Sequence, residues 1–106
     1  MNGGGTAVPP PQAIISLYGQ WAGPGGLSYI IRQQGSYITI QEMNPWLGVT
    51  AVGEGTINGN IVNLSYTTAI GTAGQAQLQI SPDGRQMLGQ SRDMVTGVTM
   101  PMQMQR

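Results

Sequence analysis

Residues 53–66, GEGTINGNIVNLSY, contain the pattern that decides the fold. Asn58 and Gly59 both tolerate the positive φ angles of a type I′ turn, the tightest connection between antiparallel strands. After that turn Val62, Leu64 and Tyr66 fall on one side of the segment and Asn63 and Ser65 on the other. An apolar repeat of two is the period of a strand with one buried face. The local unit is therefore a β-hairpin.

The same grammar extends in both directions. In "SPDG" (Ser81–Gly84), Pro82 presets the first turn dihedral and Gly84 accepts a left-handed conformation. Further turn chemistry stands at "GPGG" around Gly23, "QG" at Gly35, "NP" at Asn44, "GTAG" at Gly71 and "TG" at Thr96, so that seven turns separate eight segments. Between them the period stays at two. Ile38 and Ile40 oppose Tyr37, Thr39 and Gln41; Ala76, Leu78 and Ile80 oppose Gln75, Gln77 and Gln79; Val98, Met100, Met102 and Met104 share one side to the C-terminus. Helical spacing is nowhere sustained, although "PQAIISLYG" before and at Gly19 reads as one short helical turn. "GEG" and "GPGG" precede no helix and so are assigned to turns or bulges, not to phosphate loops.

Eight short strands with one apolar face each hide that face most simply by closing into an antiparallel up-and-down β-barrel; a two-sheet sandwich is the alternative. Closure also removes exposed edges, which a Gln, Ser and Thr exterior protects poorly by charge. A membrane-spanning barrel needs strands of about 9–11 residues and aromatic girdles, more than these segments and six aromatics supply. The barrel is assigned to residues 13–106. Residues 1–12, MNGGGTAVPPPQ, read as a glycine-flexible and then proline-stiffened tether. Such a tether often follows a cleaved leader or lipid anchor, which makes an extracytoplasmic location the expectation and residues added for expression the alternative.

Composition excludes several functions. Charged residues make up 8% of the chain, against roughly 25% in an average soluble protein, and the net charge is zero with no lysine or histidine. Four scattered arginines form neither a nucleic-acid footprint nor a polybasic patch for anionic lipid. Without cysteine there is no disulfide or thiolate chemistry, and no apolar run reaches the length of a transmembrane helix. The carboxylates Glu42, Glu54, Asp83 and Asp93 occupy turn-like or surface-like positions and do not pair by spacing, so the chain is expected to be non-catalytic and to carry no cofactor.

One family resembles this chain over about residues 19–106. The opening GQWAGPGGLSYIIRQQGSYITIQE, with Trp21 and Gly23 ahead of two strands, is similar to that of small bacterial lipocalin-like and avidin-like barrels. The later GEGTINGNIVNLSY and LQISPDGRQMLGQ resemble their hairpin repeats. The resemblance implies that Trp21 closes one barrel end beneath a basic residue, for which Arg106 is the candidate.

A barrel interior left unfilled would make a pocket. Its wall would come from Tyr29 and Ile31, Ile38 and Ile40, Leu64 and Tyr66, Leu78, and Met100 and Met102, with Trp21 at one end: an apolar wall suited to a small hydrophobic, lipid-like ligand, with phenols to orient it. Side chains filling the interior would make the chain a structural or protein-interaction module instead. Met100 and Met102 lie about 6.6 Å apart on one strand face, within reach of a Cu(I) ion, but core or pocket wall is the better reading of a methionine stripe and no metal site is assigned. Trp46 and Leu47 follow "NP" in a loop, where large apolar groups need cover. A neighbouring loop plugging the mouth is the expected cover, and a partner surface in a homo-oligomer is the alternative. Aromatics beside Gln and Asn also permit a sugar site.

Overall fold

The computed structural model describes residues 14–106, so the tether assigned to residues 1–12 lies outside the described residues. Eight antiparallel strands pair in chain order and close into a barrel: β1 (Gly19–Ala22), β2 (Ser28–Gln34), β3 (Tyr37–Asn44), β4 (Gly48–Asn58), β5 (Ile61–Thr68), β6 (Ala73–Ile80), β7 (Gln86–Asp93) and β8 (Thr99–Gln105). The barrel holds and the sandwich is excluded. All seven connections lie at the turn chemistry of the sequence, with one 3-10 turn at Pro24–Gly26 between β1 and β2. Among the described residues no helix is long and apolar enough to cross a membrane.

Three local expectations are corrected. Asn58 and Ile61 are a strand pair, so the two-residue loop is Gly59–Asn60, and only Gly59, at φ 63°, is left-handed. A glycine in the first loop position belongs to the II′ class, not to I′. "GEG" lies within β4, where it meets neither a turn nor a bulge; the register shift of that ladder falls at Glu42/Met43. Residues 14–18 form no helical turn, because their backbone is bound from a distance. The Gln33 side chain accepts from Leu17 N–H at 2.7 Å and donates to Ile15 C=O at 2.9 Å, while the Trp21 indole N–H donates to Leu17 C=O at 2.9 Å.

Inside the barrel, large side chains alternate with small ones around the wall. Across neighbouring strands Ile40 meets Gly53, then Tyr66, then Gly74; Ile38 meets Gly55, then Leu64, then Ala76. A Cβ on Gly55 would drive into the Asn63 carbonyl, and one on Gly89 into that of Gln77. At these positions the neighbouring strand backbone comes so close that only glycine leaves it room. Most outward positions carry Gln, Asn, Thr or Ser, with Tyr37, Val52 and Leu88 among them, which is not the continuous apolar band of a barrel facing lipid.

Closure rests on little sheet pairing. β1 and β8 share a single residue pair, Ala22 with Gln105. Backbone bonds from Arg106 N–H to Arg85 C=O and from Asp93 N–H to Val98 C=O fix the hydrogen-bonding phase of the β7–β8 ladder. In that phase Pro101, opposite Gln90, sits at a non-bonded position, so its missing N–H faces the seam and costs the β7 ladder nothing. The same proline denies an incoming strand a donor at the middle of the open edge.

Below the seam Arg106 supplies what the ladder lacks. Its guanidinium lies 4.5 Å from the Trp21 ring centroid, and its N–H groups donate to Ser16 C=O at 2.7 Å, Gly84 C=O at 3.0 Å and Tyr18 C=O at 3.5 Å. Trp21 is buried, as is Leu17 beneath the barrel floor. One side chain from the last residue thus joins the N-terminal segment, the β6–β7 turn and β1. Arg106→Ala should lower unfolding stability by about 2 kcal/mol, from a partly exposed cation–π contact and the charged hydrogen bonds together. Arg106→Lys should restore less than half of this, because an ammonium cannot stack and reach separate carbonyls as a planar fork does. Urea midpoints of the three proteins measure both expectations.

Candidate functional site

The barrel has two unlike halves. At the end carrying the β2–β3, β4–β5 and β6–β7 turns, Trp21, Ile31, Ile38 and Leu78 are each 1% exposed and the interior is solid. Those four expected wall residues fill core. Toward the other end Tyr29, Ile40, Leu64, Tyr66, Met100 and Met102 surround a cavity of about 410 Å³. Its emptiness has a local cause. β4 lines it with Ala51, Val52 and Gly53, of which Val52 is on the outward parity, and β7 only with Ser91, so these strands send no large side chain into the space.

The methionine stripe is graded along this axis. Met104 is buried, Met102 half-buried and Met100 60% exposed, while Val98 lies outside β8 and is exposed. The expected continuous inward face is therefore continuous in direction but not in burial, because β8 outruns its neighbour β1 and its first residues stand at the rim. Between β8 and the Pro24 turn the cavity also has a side wall made by Pro24, Leu27, Pro101 and Gln103, where no β1–β8 pair closes the sheet.

One polar group in the wall was not expected. Glu42, treated in the sequence as surface-like, turns inward on β3 and accepts from the Tyr29 hydroxyl at 2.9 Å through Oε2 and from the Thr50 hydroxyl at 2.9 Å through Oε1. Thr50 reaches it because β4 bulges there: Ala51 pairs with Glu42 and Val49 with Met43, leaving Thr50 as the extra residue. The signal was present in the parity of Ile38 and Ile40, which puts Glu42 on the same face. Burial, with the adjacent Glu42 charge and hydrogen bond adding to it, pushes the Tyr29 hydroxyl well above the ordinary phenol range. Tyr29 thus stays a donor at all physiological pH values, and each Glu42 oxygen keeps a lone pair free. Tyr66 leans aside over Gly74, where a Cβ would strike its ring.

Other candidates sit elsewhere. Glu54 is on the outer face, accepting from the Tyr37 hydroxyl at 2.6 Å, and Asp83 and Asp93 cap their own turns. Among the described residues no three acidic side chains gather as a metal site would require. A larger depression of about 1010 Å³ lies on the face of β3 to β8 lined by Tyr37, Asn63, Gln75, Gln77, Leu88 and Gln90; it mixes polar and apolar groups about equally and is more open than the barrel cavity. Trp46 and Leu47 are 89% and 76% exposed, so among the described residues no neighbouring loop covers them as the expected plug would.

No family model matches the chain, and no curated protein or solved structure gives a match.

The Tyr29 geometry is visible in an alkaline titration. Its folded-state pKa is raised, so the associated stability is complete below about pH 10, the unfolded phenol value, and is lost as pH rises beyond that. Absorbance at 295 nm should show phenol ionisation delayed past the ordinary range in the native protein, and Tyr29→Phe should remove one delayed phenol. An unchanged curve in that variant would contradict the pairing with Glu42.

Proposed function

We propose that this chain is a non-catalytic binding protein of lipocalin-like type, whose ligand is a small hydrophobe carrying one hydrogen-bond donor. The observation behind this reading is the apolar cavity of about 410 Å³ with Glu42 in its wall. Its size is at the low end of the range for ligand pockets, roughly 300–1,000 Å³, which suits a single short chain or fused-ring compound better than a whole phospholipid. The carboxylate sets the polarity of the ligand. A fatty-acid head group would meet a like charge at Glu42, whereas an alcohol or amine would donate to its free lone pairs. Arg106 over Trp21 at the closed end supports the lipocalin-like assignment, since the resemblance implies that cation at that place.

The experiment is fluorescence titration with 1-aminoanthracene, a compact apolar amine. Emission enhancement with a saturable isotherm is the expected result. Ala51→Phe, which places a ring in the cavity, should abolish it. Glu42→Gln should weaken it about tenfold while leaving a purely apolar probe almost unaffected, since a charged hydrogen bond is worth about 1.5–3 kcal/mol. No enhancement with any apolar probe would remove the reading.

A second reading, a self-associating or interaction module, draws on the exposure of Trp46 and Leu47 at the rim. Sedimentation equilibrium separates it: a wild-type dimer lost in Trp46→Ser supports that module.

A further inference from the structure

The two ends of the barrel carry opposite loop chemistry. At the solid end the turns are Gly35–Ser36, Gly59–Asn60 and residues 81–85, SPDGR, which are small, polar or charged. At the open end three of the four connections are residues 45–47, PWL, residues 69–72, AIGT, and residues 94–98, MVTGV, and the fourth is the glycine-rich residues 23–27, GPGGL; none contains a charged residue. Trp46, Leu47, Ile70 and Val95 are 89%, 76%, 86% and 72% exposed, and Val98 and Met100 complete the rim. Large apolar groups scattered singly over a surface need no explanation, but a ring of them on separate loops around one opening does.

The loop backbones are prepared for a medium poor in hydrogen bonds. Asn44 Oδ1 accepts from the N–H groups of Trp46 and Leu47 at 2.8 and 3.2 Å. Asp93 Oδ1 does the same for Val95 and Thr96 at 2.7 and 3.0 Å, and these donors hold its carboxyl below the usual carboxylate range. In the third loop Thr68 Oγ1 accepts from Thr72 N–H at 3.1 Å, while Gly71 N–H and Ala69 N–H donate to the carbonyls of Thr68 and Thr50. The tips at Trp46, Leu47 and Val95 are thus carried on turns whose donors are satisfied within the protein, which lowers the cost of leaving water, while in the third loop the Ile70 N–H alone has no partner among the described residues. The polar turn at Asp83 is capped similarly, so capping permits insertion and the apolar tips direct it.

We infer that the open end docks on a lipid bilayer, with Trp46, Leu47, Ile70 and Val95 entering the boundary between head groups and acyl chains. Side chains this exposed project as pegs, and a fluid layer accepts pegs without matching holes. A second copy brings the same pegs around the same opening and offers no complementary surface. Tryptophan is the side chain favoured at that depth, and neutral tips on a lysine-free chain fit a zwitterionic surface, not an anionic one. Docking would place the cavity mouth against the bilayer. It concerns the rim and not the cavity wall, and stands or falls apart from the ligand reading.

The chain carries its own reporter, because Trp46 is exposed and Trp21, the other tryptophan, is buried. Phosphatidylcholine vesicles should shift the emission of the full chain to the blue, carry the protein into the vesicle pellet, and allow quenching by brominated acyl chains. Binding should survive 1 M NaCl. Trp46→Ser should abolish the shift, and Leu47→Ser and Ile70→Ser should each lower partitioning about tenfold, with far-UV circular dichroism unchanged in every variant. Ala51→Phe, the cavity-filling variant, should still bind vesicles. Wild-type protein that stays in the supernatant at excess lipid with unshifted emission overturns the inference. So does a blue shift without lipid that grows with protein concentration alongside a sedimenting dimer, which would assign the rim to a second copy.

Discussion

Arg106 stacked on Trp21 is the contact on which the closed form of this chain depends. A β-barrel normally closes through a full ladder of backbone bonds between its first and last strands. Here that ladder is one residue pair, and the guanidinium takes over by joining the last residue to the carbonyls of Ser16, Tyr18 and Gly84. Because those carbonyls belong to the segment under the floor and to the β6–β7 turn, the same side chain also holds Leu17 in place as a plug. Closure and floor are one structure.

Concentrating closure at one end relaxes the other. From Thr99 to Gln103 β8 has β7 on one side and no paired strand on the other, and that length coincides with the side wall of the cavity. Pro101 makes the gap tolerable, since its missing donor faces the seam and discourages another strand from adding there. The interior follows the same gradient. Across β3 to β7 Gly53, Gly55, Gly74 and Gly89 face large neighbours, whereas Ala51 and Ser91 near the mouth leave space that no bulky residue uses.

The architecture was legible because each of its signals is local. Turn residues and a period of two specify strands and their faces, and the parity of Val62, Leu64 and Tyr66 came through intact. Depth is not local. Parity says that Met100 and Met104 face the same way, yet only the stagger of β8 against β1 decides that one is exposed and the other buried. The same parity pointed Glu42 inward, but its charge argued for the surface until the β4 bulge brought Thr50 to it and Tyr29 was seen opposite. The missing helical turn before β1 has a similar cause, since long-range bonds from Gln33 compete with local ones and no spacing rule records them. Trp46 was marked in the sequence as needing cover, but whether another loop reached it was a question of tertiary geometry.

The two ends therefore answer to different constraints. The solid end must hold eight strands closed with few charges, and it does so with a buried tryptophan, a cation and turns that water solvates well. The open end contributes little to closure, so its loops are free to carry side chains that reduce solubility. An apolar cluster of this kind is a common mark of an interaction surface, unlike single exposed apolar side chains. On the docking proposed above the rim would meet the apolar phase directly, and the unpaired stretch of β8 borders the same cavity as Glu42.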